Sequence, residues 1–178
     1  MSLNEKDASI LNAYMRYEKL KAGQIIVRSG SFHRYIYFLV DGIVKAYQTI
    51  EGKDVVQQLI SADHFFAPVD SFFHEKPSDL FFETITPVSL FKLSKTDFDT
   101  LKTKVNFLDK LVREVMQEHL NCKEERARDF QVLSAKERYK KLLEDSPHLV
   151  QQVPVETLAS YLGIEPQSLS RIRGQIQR

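Results

Sequence analysis

The spacing of apolar residues changes period twice along the chain. Leu3–Tyr17 places Leu3, Ala8, Ile10, Leu11, Tyr14 and Met15 at steps that predict a short amphipathic helix, ended by Lys21-Ala22-Gly23. From Gln24 the pattern shortens. Ile25–Val27, Tyr35–Val40, Ile43–Thr49, Val55–Ile60, Phe81–Thr86 and Val88–Leu93 are short runs rich in β-branched and aromatic residues. Gly30, Asp41-Gly42, Glu51-Gly52 and Pro87 separate them, which predicts an antiparallel sandwich or barrel. Ser61–Leu80 carries Phe65, Phe66, Phe72 and Phe73, two prolines and no glycine. It is too long and too apolar for a plain hairpin loop, and reads as a loop with a short helix that packs aromatics on the barrel.

The helical period returns at Ser94-Lys95-Thr96-Asp97, a capping box that starts a helix to about Lys102. A longer helix is expected from about Asn106 to Gln131. Leu108, Val112, Val115, His119 and Cys122 recur there at three- and four-residue steps, with Leu111 and Met116 beside them. Such a seam can bury itself against the β-domain on one side and a partner helix on the other. His119 is either a pH-sensitive contact across the seam or a half-exposed residue at its edge. Cys122 is either a redox-active or crosslinking thiol or a small seam residue. Ser134-Ala135-Lys136-Glu137 is a second capping box, and marks a domain boundary near Leu133 and a helix over Ala135–Glu144. Ser146-Pro147 opens a brief further turn.

The last stretch, Val155–Gln177, predicts two short helices joined at a turn. Val155, Leu158, Ala159 and Leu162 form one buried stripe. Gly163 supplies a left-handed C-terminal position, and Ile164 plugs the turn. Glu165 falls at the next N-cap and Pro166 at the first helical position, where a missing N–H costs nothing. Leu169, Ile172 and Ile176 face inward, which leaves Gln167, Ser168, Ser170, Arg171 and Gln175 outward. That is a helix-turn-helix with side chains suited to DNA. Arg171 can bond a guanine edge, Gln167 an adenine, and Ser168 with the helix N-terminus a phosphate. A plain helical hairpin with polar outer faces has the same spacing.

Charge adds only local detail. The chain has 178 residues, with 25 Lys+Arg against 24 Asp+Glu and a formal net charge of +1, so any basic surface must be local. Pro166–Arg178 holds Arg171, Arg173 and Arg178 without an acid, and Ala135–Lys141 holds Lys136, Arg138, Lys140 and Lys141 against Glu137. The second group also fits a solvated helix face. The single Cys122 argues against a disulfide framework or a Cys-rich zinc or iron–sulfur site. No apolar run has the length of a membrane span, and the charged N-terminus is unlike a signal peptide. A cytoplasmic setting is expected, with no membrane contact.

The segment LGIEPQ-SLSRIR resembles the recognition helix of the Crp–Fnr transcription regulators. SAKERYKKLLEDSPHLVQQVPVETLASYLGI resembles the run-up in shorter bacterial members. LKAGQIIVRSG, YIYFLVDGIVKAYQ and EGKDVVQQL are similar to the opening strands of that family's β-roll, and Ser94–Gln131 to its dimerisation helix. The resemblance implies an α+β fold in three parts. They are an antiparallel, cyclic-nucleotide-binding-like β-roll (a double-stranded β-helix) over 1–104, a dimerisation helix over 105–132, and a helix-turn-helix domain over 133–178. It further implies a homodimer on a palindromic operator, with RNA polymerase and an unidentified small-molecule effector as candidate further partners. The base-reading positions fall on Pro166, Gln167 and Arg171, and a phosphate-contacting hydroxyl on Ser168. Ser170, Arg173 and Gln175 complete the expected DNA-facing set. Glu165 replaces the usual small N-cap hydroxyl and would repel nearby phosphate. The chain ends at Arg178, which leaves no room for a C-terminal β-wing.

By the same alignment, the family's Gly-Glu pair falls on Phe66-Ala67 and its Arg-Ser pair on Ser78-Asp79. Phe66 removes the close backbone approach that Gly allows, Ala67 cannot accept from a ribose, and Asp79 repels a phosphate. The cassette is therefore degenerate and cyclic AMP is not expected. The pocket is expected either to be filled by Phe65, Phe66, Phe72 and Phe73 or to take an apolar or neutral ligand. A cupin-type metal enzyme is a third reading, with His33, His64, His74 and Glu75 as its ligands. They lack the close His-x-His spacing such a site uses. Haem binding through a histidine singles out no ligand. No enzyme activity, cofactor or metal is expected.

Overall fold

The computed structural model describes residues 5–176, so Leu3 of the expected first helix, Gln177 at the end of the helix-turn-helix stretch and the basic Arg178 lie outside them. Helix α1 (Glu5–Tyr14) leads into eight strands: β1 (Arg16–Leu20), β2 (Ile25–Val27), β3 (Tyr35–Asp41), β4 (Val44–Ile50), β5 (Lys53–Ile60), β6 (His64–Phe66), β7 (Phe81–Thr84) and β8 (Val88–Ser94). Helix α2 (Val69–His74) interrupts them between β6 and β7. The strands form two four-stranded antiparallel sheets, ordered β1-β8-β3-β6 and β2-β7-β4-β5.

Two strands were not foreseen. β1 lies where the first helix was expected to finish. Its sequence, Arg16-Tyr17-Glu18-Lys19-Leu20, has no apolar face of its own, and it is a strand because it pairs with β8 from Arg16↔Lys92 to Leu20↔Val88. β6 is three residues long and pairs with β3, Phe65 opposite Phe38 and Phe66 opposite Tyr37. The rest of Ser61–Leu80 does contain the expected short helix, and Phe72 on it is 1% exposed.

Three cores organise the chain. The first fills the roll between the sheets, with Val27, Tyr37, Leu39, Val44, Ala46, Phe66, Phe82 and Leu90 among its members. Register explains the sorting. Leu39 pairs with Leu90 facing inward, while Ile36 pairs with Leu93 facing outward. That outer face belongs to a second core, built with Leu11 of α1, Phe72 of α2, and Phe98 and Leu101 of α3 (Lys95–Lys104). Ser94 caps α3, accepting from the Asp97 N–H at 3.1 Å.

Helix α4 (Phe107–Val132) follows, and after it comes a third core. This holds α5 (Ala135–Asp145), α6 (Pro147–Gln152), α7 (Val155–Leu162) and α8 (Pro166–Ile176). Its start is the full capping box at Ser134 and Glu137. Ile43 of the roll, 2% exposed, is part of this third core, with Leu59 and Ile85 packed beside it. The helical domain therefore sits on the roll and is not merely tethered to it.

Gly163 ends α7 at φ +68, and its N–H meets the carbonyl of Ser160 at 3.1 Å. A Cβ there would stand 2.6 Å from Cε1 of Phe130. Gly163→Ala adds left-handed strain to that clash and should cost about 2 kcal/mol, a fall of roughly 4–8 °C in Tm. A thermal melt that matches the wild type would show that the turn tolerates a side chain.

Candidate nucleic-acid interface and effector region

Helices α7 and α8 pack through Leu158, Ala159, Leu162 and Leu169, all at most 3% exposed. Ala159 is fully buried, which fits a close helix crossing. The Glu165 carbonyl accepts from the N–H groups of Ser168 and Leu169, at 3.0 and 3.2 Å, so α8 begins at Pro166. Gln167, Ser170, Arg171 and Gln175 are exposed together on its outer face, with Pro166 and Ser168 partly so. The Ser170 hydroxyl donates back to the Pro166 carbonyl at 3.1 Å, a bond within the helix itself.

Arg173 departs from the outward set. Its Nη2 donates to the Val150 carbonyl at 3.2 Å, its guanidinium lies over the Tyr139 ring, and its Nε is buried. The long stem of Arg lets a residue at an intermediate helix position fold onto α6. The basic run Ala135–Lys141 is also partly consumed inside the chain. Lys141 bonds Glu125 and Asp129, both at 2.6 Å. Arg138 donates to the carbonyls of Leu133 at 2.7 Å and Leu162 at 3.0 Å, which ties the end of α7 to the start of α5. Lys136 and Lys140 remain exposed.

A polar clasp joins α7 to the roll. The Ser160 hydroxyl of α7 donates to the Asp54 carbonyl at 2.7 Å and accepts from the Val56 N–H at 3.0 Å. The Val56 carbonyl accepts from Arg126 Nη2 of α4 at 3.3 Å. The Arg126 guanidinium is stacked 4.1 Å from the Tyr161 centroid and 4.7 Å from that of Phe130. Burial pulls the Arg126 pKa down and pushes that of Tyr161 up. Nothing in the periodicity of either segment announces these contacts.

The expected dimer seam is largely turned toward the chain's own roll. Leu108 is 2% exposed, and Val112, Val115 and His119 line a cavity beneath α4. The Gln58 amide of β5 meets His119 Nδ1 at 3.2 Å, so this histidine bridges roll and helix within one chain. Cys122 is exposed. Its pKa is raised, first by desolvation of the sulfur and then by Glu125, which disfavours the reactive thiolate. Elsewhere on α4, Leu120 is 50% exposed and Val132 is 66% exposed.

Inside the roll, Phe66 occupies the aligned Gly position. Its ring stacks on Tyr37 at 4.9 Å and on Phe82 at 5.7 Å, so three aromatics fill the space between the sheets. Ala67 faces the cavity beneath α4 together with Phe65, Phe66 and Phe73, whereas Phe72 packs against Phe98 in the second core. Ser78 is 3% exposed and its hydroxyl donates to the Leu80 carbonyl at 2.8 Å. Its backbone pairs with Gly30 and Ser31, and Asp79 points to solvent. Phe66-Ala67 and Ser78-Asp79 thus do not line one cavity.

The histidines expected for a cupin centre are not gathered. His33 Nε2 meets the Tyr37 hydroxyl, His64 approaches Glu118 at 3.8 Å, and Glu75 pairs with Arg34 at 3.5 Å. No group of three or more His, Cys, Asp or Glu among the described residues could hold a metal. No helix among them is long and apolar enough to cross a membrane.

Residues 17–104 match the cyclic nucleotide-binding domain family, so the roll is a domain of that class. The chain as a whole has the fold of the Crp–Fnr regulators, as its sequence resemblance implied. It is similar to FixK2 from Bradyrhizobium japonicum, with 14% identity over 92% of this chain and 84% of that one, at a TM-score of 0.79. CLP of Xanthomonas campestris, described as a c-di-GMP responsive global regulator, has 15% identity over 96% and 92%, at 0.74. The catabolite activator protein of Thermus thermophilus has 16% identity over 99% and 84%, at 0.62. No curated protein sequence matches the chain significantly.

Ser160→Ala removes both bonds of the clasp and leaves the Val56 N–H unpaired at a buried residue. It should cost about 1–2 kcal/mol of stability and speed amide exchange at Val56, with little change in the sheets' central strands. Unaltered exchange at Val56 would rule out the clasp in solution.

Burial, with Lys123 second, holds the His119 pKa below its usual value. The folded chain favours neutral imidazole. As pH falls below about 6.5 the unfolded chain takes up the proton first, and stability drops until the folded pKa is passed. His119→Gln should therefore flatten the stability-versus-pH curve below about pH 6.5, leaving the slope from His33, whose pKa burial also lowers. Denaturant titrations at neutral and mildly acidic pH check this, and an identical acid slope in the variant would refute it.

Proposed function

We propose that this chain is a homodimeric, sequence-specific DNA-binding transcription regulator whose roll does not bind cyclic AMP. The observation that carries the reading is the outer face of α8, where Gln167, Ser170, Arg171 and Gln175 stand exposed on a helix fixed by Leu169 and Gly163. A helix presented this way can enter the major groove with its N-terminal half against base edges. Arg171 is the guanine reader, Gln167 the adenine reader, and Ser168 with the start of α8 the phosphate contact. Arg173 acts from inside, by fixing α8 to α6 through Val150.

The aromatic stack of Tyr37, Phe66 and Phe82 supports the second half of the reading. A ribose and a phosphate would have to displace it, with no cation at Ser78-Asp79 to repay the desolvation of the phosphate. Two copies would pair along α4, the helix that carries Leu108, Val112, Val115, His119 and Cys122, and would set one α8 in each half-site. The setting this implies is the cytoplasm.

Arg171→Ala should weaken specific operator binding by about 1–3 kcal/mol, roughly 5- to 150-fold, and relax base preference at one position per half-site. The operator comes from selection of bound sequences, and gel shifts with it give the ratio. Arg173→Ala should lower thermal stability without changing base preference. Equal operator affinity for Arg171→Ala and wild type would remove Arg171 from the reading set.

A further inference from the structure

We infer that side chains bracing the end of α4 fix the half-site spacing that two paired copies accept on DNA, with Phe130, Arg138 and Lys141 as the positioning residues. This role rests on the DNA-binding reading above. Leu133 and Ser134 link α4 to α5, and both are extended. A two-residue extended link does not by itself fix the angle between the helices it joins. A swivel of about 10° there moves a point as far away as α5 is long by about 3 Å, at 1.5 Å of rise per residue. One base pair of B-DNA is about 3.4 Å of rise and about 35° of rotation. An unbraced link would therefore blur the spacing by about a base pair.

Three contacts brace it. From α5, Lys141 Nζ reaches back to Glu125 and Asp129 of α4, both at 2.6 Å. Arg138 Nη1 donates to the Leu133 carbonyl, inside the link, at 2.7 Å. Its Nε and Nη2 donate to the carbonyl of Leu162, the last residue of α7, at 3.3 and 3.0 Å. One guanidinium thus ties the link to the helix-turn-helix. The third brace is Phe130 of α4. The Arg126 and Arg138 guanidinium groups lie over its ring, 4.7 and 4.5 Å from the centroid. The same ring stands against the turn before α8, where a Cβ on Gly163 would come within 2.6 Å of Cε1.

Exposed ion pairs add little stability singly, but these contacts hold an angle because they act on α5, the link, the end of α7 and the turn at once. Their charges are spent inside the chain, Lys141 on two carboxylates and Arg138 on two carbonyls, so neither is placed as a phosphate contact. Two copies related by a two-fold axis would carry two such joints, and the angle at each would set the distance between the two α8 helices.

Selection from a library of paired half-sites with spacers of varied length, followed by gel shifts, tests this with the full chain. Wild type should prefer one spacer and lose roughly 10- to 100-fold in affinity when a base pair is added or removed, as one half-site disengages. Lys141→Met keeps the stem and removes the ionic brace, and Arg138→Met removes the bonds to Leu133 and Leu162. In each variant that melts cooperatively, the spacer penalty should shrink at least about threefold. Half-site base preference and the slope of affinity against salt should stay as in wild type. Three results overturn the proposal: an undiminished spacer penalty in a folded variant, a shallower salt slope that puts Lys141 or Arg138 on a phosphate, or a wild type that accepts all spacers equally. If wild type enriches no half-site at all, the DNA-binding reading fails and this role falls with it. Enriched half-sites with an undiminished penalty remove this role alone.

Discussion

An edge strand presents a row of N–H and C=O groups with no neighbouring strand, and β5 is an edge of its sheet. One side of it pairs with β4, and the other exposes N–H and C=O groups that need partners. At Val56 those partners are Ser160 of α7 and Arg126 of α4. The roll's unpaired edge and the helix-turn-helix therefore satisfy each other. Ile43, buried among Leu149, Leu158 and Leu169, adds apolar contact at the same junction. Polar and apolar contacts thus join the helix-turn-helix to the roll at one place.

β5 also reaches the other end of the argument. Gln58, two residues beyond Val56, is the group that meets His119 at the cavity. Between the two residues the register of β5 with β4 shifts by one, from Ala46↔Gln58 to Tyr47↔Val56. α4 spans the same two places, touching the cavity through Val115 and the clasp through Arg126. Roll, cavity and reader are thus connected twice by continuous secondary structure, whatever signal uses the connection.

Local signals were the legible ones. Ser134 with Glu137, Ser94 with Asp97, Gly163 and Pro166 mark helix ends through contacts within four residues, and each stands where its sequence placed it. Strands whose apolar residues alternate or run together, such as β3 and β4, were legible for the same reason. β1 was not, because Arg16–Leu20 has no periodic face and is a strand only by virtue of β8, some seventy residues away. The stripe on α4 was legible as a stripe, but periodicity cannot say what covers it. Leu108 is buried against the rest of the chain, while Val112, Val115 and His119 line the cavity beside the roll and stay partly accessible. Arg173 failed similarly. Helical spacing gives the direction of a Cβ, and a four-bond stem can carry the charge elsewhere.

The reading surface is sparing in charge. With Arg173 bonded to Val150 and Lys141 held by Glu125 and Asp129, the cations on or near the reader that stay free of such bonds include Arg171, Lys136 and Lys140. Glu165 at the entrance of α8 opposes phosphate. Non-specific affinity for DNA scales with the number of phosphates neutralised, so a single copy of this surface would hold DNA weakly at physiological salt. Useful affinity then has to come from base contacts made twice, with the second half-site bound at the high effective concentration that a rigid dimer provides. The sparse charge of α8 thus makes pairing of two copies a requirement of the DNA-binding reading.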